Sequence, residues 1–197
     1  MINTTTRKLF PTVYILAAIY FLLHLIFNGV LGGYGIFRDE FYYFANTTRL
    51  DWGYVDHPPL APLLLAGWTA LFGDSALSLR FLPALAGGAT IAVAALTALR
   101  LGGGKAAQTI AALAVAVVPV VMVLFGFYSM NAFEILLWAL AAYVATGILT
   151  AEREQDWLLF GLLMGVALQN KHTIVLFAGG LVLGLLLHRR RTFTTRY

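Results

Sequence analysis

The stretch from Phe37 to Gly67, "FRDEFYYFANTTRLDWGYVDHPPLAPLLLAG", is the charge-dense island of a very apolar chain. It gathers Arg38, Asp39, Glu40, Arg49, Asp51, Asp56 and His57 among aromatics, with long apolar runs on either side. Ionisable groups are costly inside hydrocarbon, so such an island between apolar segments reads as a loop outside a membrane.

The bulk composition supports that reading. The 197 residues are 60% hydrophobic and 11% charged, with a mean hydropathy of +0.83, whereas soluble domains carry roughly 25% charge. The expected fold is therefore all-α, a polytopic membrane helical bundle. A crossing takes about 20 apolar residues, which leaves room for several spans and one sizeable loop but for no large soluble domain. Lys and Arg number 13 against 9 Asp and Glu, a net charge of +4, and much of the excess sits in "TTRK" and "HRRRTFTTR" at the two ends. Such placement points to cytoplasmic flanks rather than nucleic-acid binding. With no cysteine there is no disulfide framework and no thiolate metal site, and the redox compartment is left open. The first apolar run follows a basic start as a signal peptide does, but its length and the lack of a small-x-small cleavage site favour a retained span.

Apolar runs near residues 12–31, 79–99, 107–125, 132–149, 157–168 and 173–187 give about six transmembrane helices. The last two are short, and Gln169-Asn170-Lys171-His172 divides them. Joined as one helix they would put that tetrad in mid-membrane and carry Arg189, Arg190 and Arg191 outside, against the preference of basic flanks for the cytoplasm. The run "LAPLLLAGWTALFG" is also short, and a crossing there would move the loop holding Arg100 and Lys105 to the outside. It is better read as a helix lying at the outer interface. Both termini are then cytoplasmic, in a single membrane domain over residues 1–197. Residues 32–78 hold its external loop, with "FGFYSMN" and "QNKH" facing the same side.

From Asp39 the chain predicts a short interfacial helix, its aromatics suited to the headgroup zone and its acidic pair to the helix dipole. Adjacent helical residues point about 100° apart, so Asp39 and Glu40 cannot serve one reacting atom equally. Asp39 shares a face with Tyr42, Tyr43 and Asn46, and Glu40 with Tyr43, Phe44 and Thr47. Either one acid is structural, or both simply solvate a helix start. Pro58 and Pro59 open the next helix and hold His57 extended, as a phosphate contact, a metal contact or a solvated loop residue. Asp39, Glu40, Asp56 and His57 are hard ligands without diagnostic spacing, so a divalent metal is open and no cofactor is assigned. Asn131 and Glu134 have capping-box spacing; Glu134 alternatively serves as a second acid or metal ligand. Lys171 either snorkels to water from a hairpin turn or offers charge to an anionic lipid headgroup. His24, within the first span, reads as a packed residue.

"RDEFYYFA", "HPPL", "LRFLPAL" and "GLLMGVALQNKHTIVLF" occur in an order and spacing that resembles the N-terminal half of the family 39 type of integral-membrane glycosyltransferases, which includes protein O-mannosyltransferases and lipid A aminoarabinose transferases. The similarity runs over roughly residues 14–187. It implies a GT-C fold enzyme that passes a sugar from a polyprenyl-phosphate donor to an extracytoplasmic acceptor, whether lipid, glycan or protein. By motif the catalytic acid is Asp39, with Glu40 its neighbour. His57, Lys171 and Arg38 fall near the donor phosphate, and Glu134 stands where relatives carry another acid, often an Asp. A lipid phosphate leaves without a second acid, so one base suffices. Relatives run longer, and the chain reads as the N-terminal part of such an enzyme. The competing reading is a non-catalytic, transporter-like membrane subunit that binds an anionic lipid, suggested by the divided hairpin at Lys171.

Overall fold

The computed structural model describes residues 8–151 and 154–194. Arg7 and Arg196, part of the basic flanks, lie outside them. Within the described residues the regular structure is helical throughout: α1 (Pro11–His24), which continues into a π-helical turn (Leu25–Val30), then α2 (Arg38–Thr47), α3 (Leu60–Phe72), α4 (Ala76–Arg100), α5 (Lys105–Ala116), α6 (Pro119–Leu124), α7 (Met130–Ala151), α8 (Glu154–Asn170) and α9 (Ile174–Thr194).

Helix α4 is the axis of the bundle, packed against α1, α5 and α7. Its small residues make this possible. Ala84, Ala86, Gly87, Gly88, Thr90 and Ala95 are buried, and a Cβ at Gly88 would lie 3.0 Å from the carbonyl oxygen of Ala17. Close backbone approach through small side chains is how helices associate in lipid, where burying apolar surface gives no driving force. The outward faces agree, since Tyr14, Ile15, Leu22 and Leu23 on α1, Leu158 and Leu162 on α8, and Leu183 and Leu187 on α9 are all exposed. Apolar surface of that extent suits a lipid solvent.

Among the described residues three helical stretches are long and apolar enough to cross a membrane: Pro11–Val30, Ala76–Arg100 and Met130–Leu149. The expected span over residues 107–125 is instead broken. Val118 is extended (φ −73°, ψ 116°) in front of Pro119, because proline drives its predecessor out of the helical region. The division of the last apolar stretch is as expected, with α8 ending at Asn170 and α9 starting at Ile174.

Candidate functional site

The site is built on α2. Phe37 caps it in an extended conformation, and the third helical residue, Glu40, reaches back to accept from the Phe37 N–H at 2.7 Å. A single turn lacking this link would leave its first amides without acceptors. The same carboxylate accepts from Nη1 of Arg80 at 2.5 Å and from the Tyr128 N–H at 2.7 Å. Arg80 Nη2 also donates to the Gly35 carbonyl at 2.5 Å. Glu40 and Arg80 are buried, so this ion pair joins α2 to α4 and to the segment before α7. Burial pushes the Glu40 carboxyl above its ordinary range, opposed by the Tyr128 and Phe37 amides and by Arg80.

The two acids thus lie in different surroundings, as their helical spacing requires. Asp39 is partly exposed and meets Arg38, whose Nε lies 3.5 Å away at the open surface. One and two turns along the same face stand Tyr42, Tyr43 and Asn46. Tyr42 donates to Asp56 at 2.6 Å, and this bond raises its hydroxyl pKa. Tyr43 is pushed up to about 12 by burial, against a backbone hydrogen bond from Met130.

His57 is enclosed rather than solvated, only 4% exposed. It stacks on Tyr43 at 5.0 Å between ring centroids, with Tyr54 at 4.9 Å and the edge of Tyr42 at 5.4 Å. Its Nδ1 lies 2.9 Å from the Pro58 carbonyl and its Nε2 3.3 Å from Nδ2 of Asn46. Tyr54 shapes the loop, its amide donating to the His57 carbonyl at 2.9 Å and its hydroxyl lying 3.2 Å from the Arg49 carbonyl.

A second polar cluster lies where α7 and α8 meet. Lys171 Nζ donates to Glu134 Oε2 and Asn131 Oδ1, both at 2.8 Å, and Thr173 donates to the other Glu134 oxygen. The capping-box reading of Asn131 and Glu134 is therefore corrected. Helix α7 already begins at Met130, and Lys171, a stronger donor than a backbone amide, takes both side chains. Lys171 accordingly binds an acid instead of reaching freely for water. Asn170 ties the clusters together, donating from Nδ2 to the carbonyl of Met130 at 2.9 Å, the residue whose backbone meets Tyr43.

The segment over residues 32–78, "FYSMN" and "QNKH" thus meet at one end of the bundle. Among the described residues no three His, Asp or Glu side chains converge to hold a metal ion. Arg80 and Tyr128 are the members that reading the sequence missed, and Asn46, placed there on the face of Asp39, was not joined to His57. The signal for Arg80 was a lone cation in "LRFLPAL", early in an apolar helix, which needs an acidic partner.

A family model described as dolichyl-phosphate-mannose-protein mannosyltransferase matches residues 56–197, well over half of the chain. His57, Glu134 and Lys171 fall inside that match, and Asp39 and Glu40 lie upstream of it. No curated protein and no solved structure gives a significant match. With an apolar helical bundle and a polar site at one end of it, the match settles the class: the chain belongs to the dolichyl-phosphate-mannose-protein mannosyltransferase family of membrane glycosyltransferases.

Proposed function

We propose that the chain transfers a sugar from a polyprenyl-phosphate donor to an extracytoplasmic acceptor, with Asp39 as the base. The observation that carries this reading is the contrast between the two acids. Glu40 is consumed by three hydrogen bonds in the interior, while Asp39, one residue away, stays accessible on a helix that Glu40 holds rigid. A base must reach its proton within about 3 Å, and only the accessible acid can meet an incoming hydroxyl.

In this reading the acceptor hydroxyl gives its proton to Asp39 as its oxygen bonds to the anomeric carbon and the bond from that carbon to the phosphate oxygen breaks. Charge collects on the departing lipid phosphate. Arg38, Lys171 and His57 balance that charge, His57 as part of the wall of the donor-phosphate site. Glu134 holds Lys171 in place and serves as its counter-charge, in preference to the second-acid role its position suggested. The external loop, residues 32–78, is the catalytic segment of one membrane domain that lies with both termini in the cytoplasm.

The test is donor choice. Membranes containing the chain are given radiolabelled sugar on a polyprenyl phosphate or on a nucleotide. Label moving to acceptor only from the lipid phosphate is expected; label moving only from the nucleotide defeats the proposal. Retained lipid binding without turnover for either donor would favour the non-catalytic subunit, whose support is the polar break between α8 and α9 at Lys171.

A further inference from the structure

Two contacts fix the hydrogen positions on His57. The Pro58 carbonyl oxygen can only accept, and Nδ1 lies 2.9 Å from it, so Nδ1 carries a hydrogen. In a neutral imidazole Nε2 is then a bare acceptor. The group facing it at 3.3 Å is the carboxamide of Asn46, which can present an N–H.

The ring has little freedom to swing. Tyr43 lies against one face at an interplanar angle of 27°, Tyr42 and Tyr54 close around it, and the residue is 4% exposed. The carboxamide differs, for it carries a donor and an acceptor of almost equal shape, related by a half turn about its last bond. An imidazolium Nε2–H would find Oδ1 of Asn46 where the neutral ring finds Nδ2.

We propose that Asn46 is the positioning residue of His57: it selects the Nδ1–H tautomer of the neutral ring, and by turning over it lets the ring become charged without losing a hydrogen bond. This rests on the reading of His57 as part of the donor-phosphate wall. There it lets the ring take up a proton from solvent and carry positive charge beside the departing phosphate while staying in place. The titratable groups against the ring are Tyr42 and Tyr43 of α2 and Tyr54 of its own loop, with Tyr128 behind Tyr43 and the charges of Asp39 and Asp56 acting on Tyr43. Asp56 is engaged by Tyr42, and none of these groups bonds either ring nitrogen.

The experiment is nitrogen-15 NMR on the full chain in nanodiscs with labelled histidine, the His57 signals identified by their loss in His57→Gln. Expected at neutral pH is a protonated Nδ1 with an unprotonated Nε2. In Asn46→Asp the facing group becomes acceptor only, so the charged ring persists to higher pH than in the wild type. A wild-type ring protonated on Nε2 alone overturns the proposal, as does a midpoint unmoved by Asn46→Asp. The wild-type spectrum decides even where the variant fails to fold. Transfer by His57→Gln separates the two layers: an unchanged rate beside the expected spectra overturns the donor-wall reading and leaves the pairing intact.

Discussion

Removing the carboxylate of Glu40 is the sharpest structural perturbation. Its side chain is fully enclosed, and Arg80 is enclosed with it. In Glu40→Leu the guanidinium keeps only the Gly35 carbonyl, and the amides of Phe37 and Tyr128 lose their acceptor. Breaking a buried pair from one side costs about 3–5 kcal/mol, and each stranded buried amide adds roughly 1–3 kcal/mol. The expected loss is therefore at least about 5 kcal/mol, comparable with the whole stability of many domains. Arg80→Leu should cost about 3–5 kcal/mol, because the carboxylate is then buried with amides alone. The double variant has no uncompensated charge, keeps only the cost of the two stranded amides, and should lose about 2–6 kcal/mol, less than the two single losses together. Equilibrium unfolding in mixed micelles, followed by tryptophan fluorescence, measures all three. If the double variant's loss equals the sum of the single losses within about 0.5 kcal/mol, the pair does not act as one unit and the account of α2 is wrong.

Three further outcomes follow from the same geometry. Because burial raises the Glu40 carboxyl, the folded chain holds that proton more tightly than the unfolded chain; its contribution to stability should be largest in acid and fall as pH rises through the raised value, and Glu40→Gln should flatten that slope in a pH series of unfolding curves. Gly88→Leu would drive a side chain against the Ala17 carbonyl, 3.0 Å from the new Cβ, and thermal melts should show a loss of about 1–3 kcal/mol as α1 and α4 separate. The chain has no native cysteine, so single cysteines placed at Thr47 and Arg191 should be labelled by impermeant reagents from opposite sides of the membrane; labelling from the same side defeats the assigned topology.

The membrane class was legible from composition, and the loop from its charge, because both depend on counts of residues rather than on packing. Helix α2 and the split between α8 and α9 were equally visible, as local signals fix them: an acidic first turn, and a polar tetrad between apolar runs. Residues 107–125 were misread as one span although Pro119 announces the break, since hydropathy averages over a single proline. The divergent surroundings of Asp39 and Glu40 followed from helical spacing, but which acid is buried depended on Arg80, 40 residues away in sequence. The same holds for Glu134, whose partners Lys171 and Thr173 lie beyond the reach of local capping rules. His57 looked like a loop residue in sequence, and only Tyr42, Tyr43 and Tyr54 together make it an interior one.

Single-turnover transfer from a radiolabelled polyprenyl-phosphate sugar by Asp39→Asn measures the proposed passage of the acceptor's proton to Asp39. Loss of a general base slows the chemical step by about 10²–10⁴-fold. A drop of that size with donor binding retained is expected, because among the described residues the Asp39 side chain hydrogen-bonds only Arg38 and the Glu40 anchor stays whole. Transfer at the wild-type rate in Asp39→Asn would contradict it.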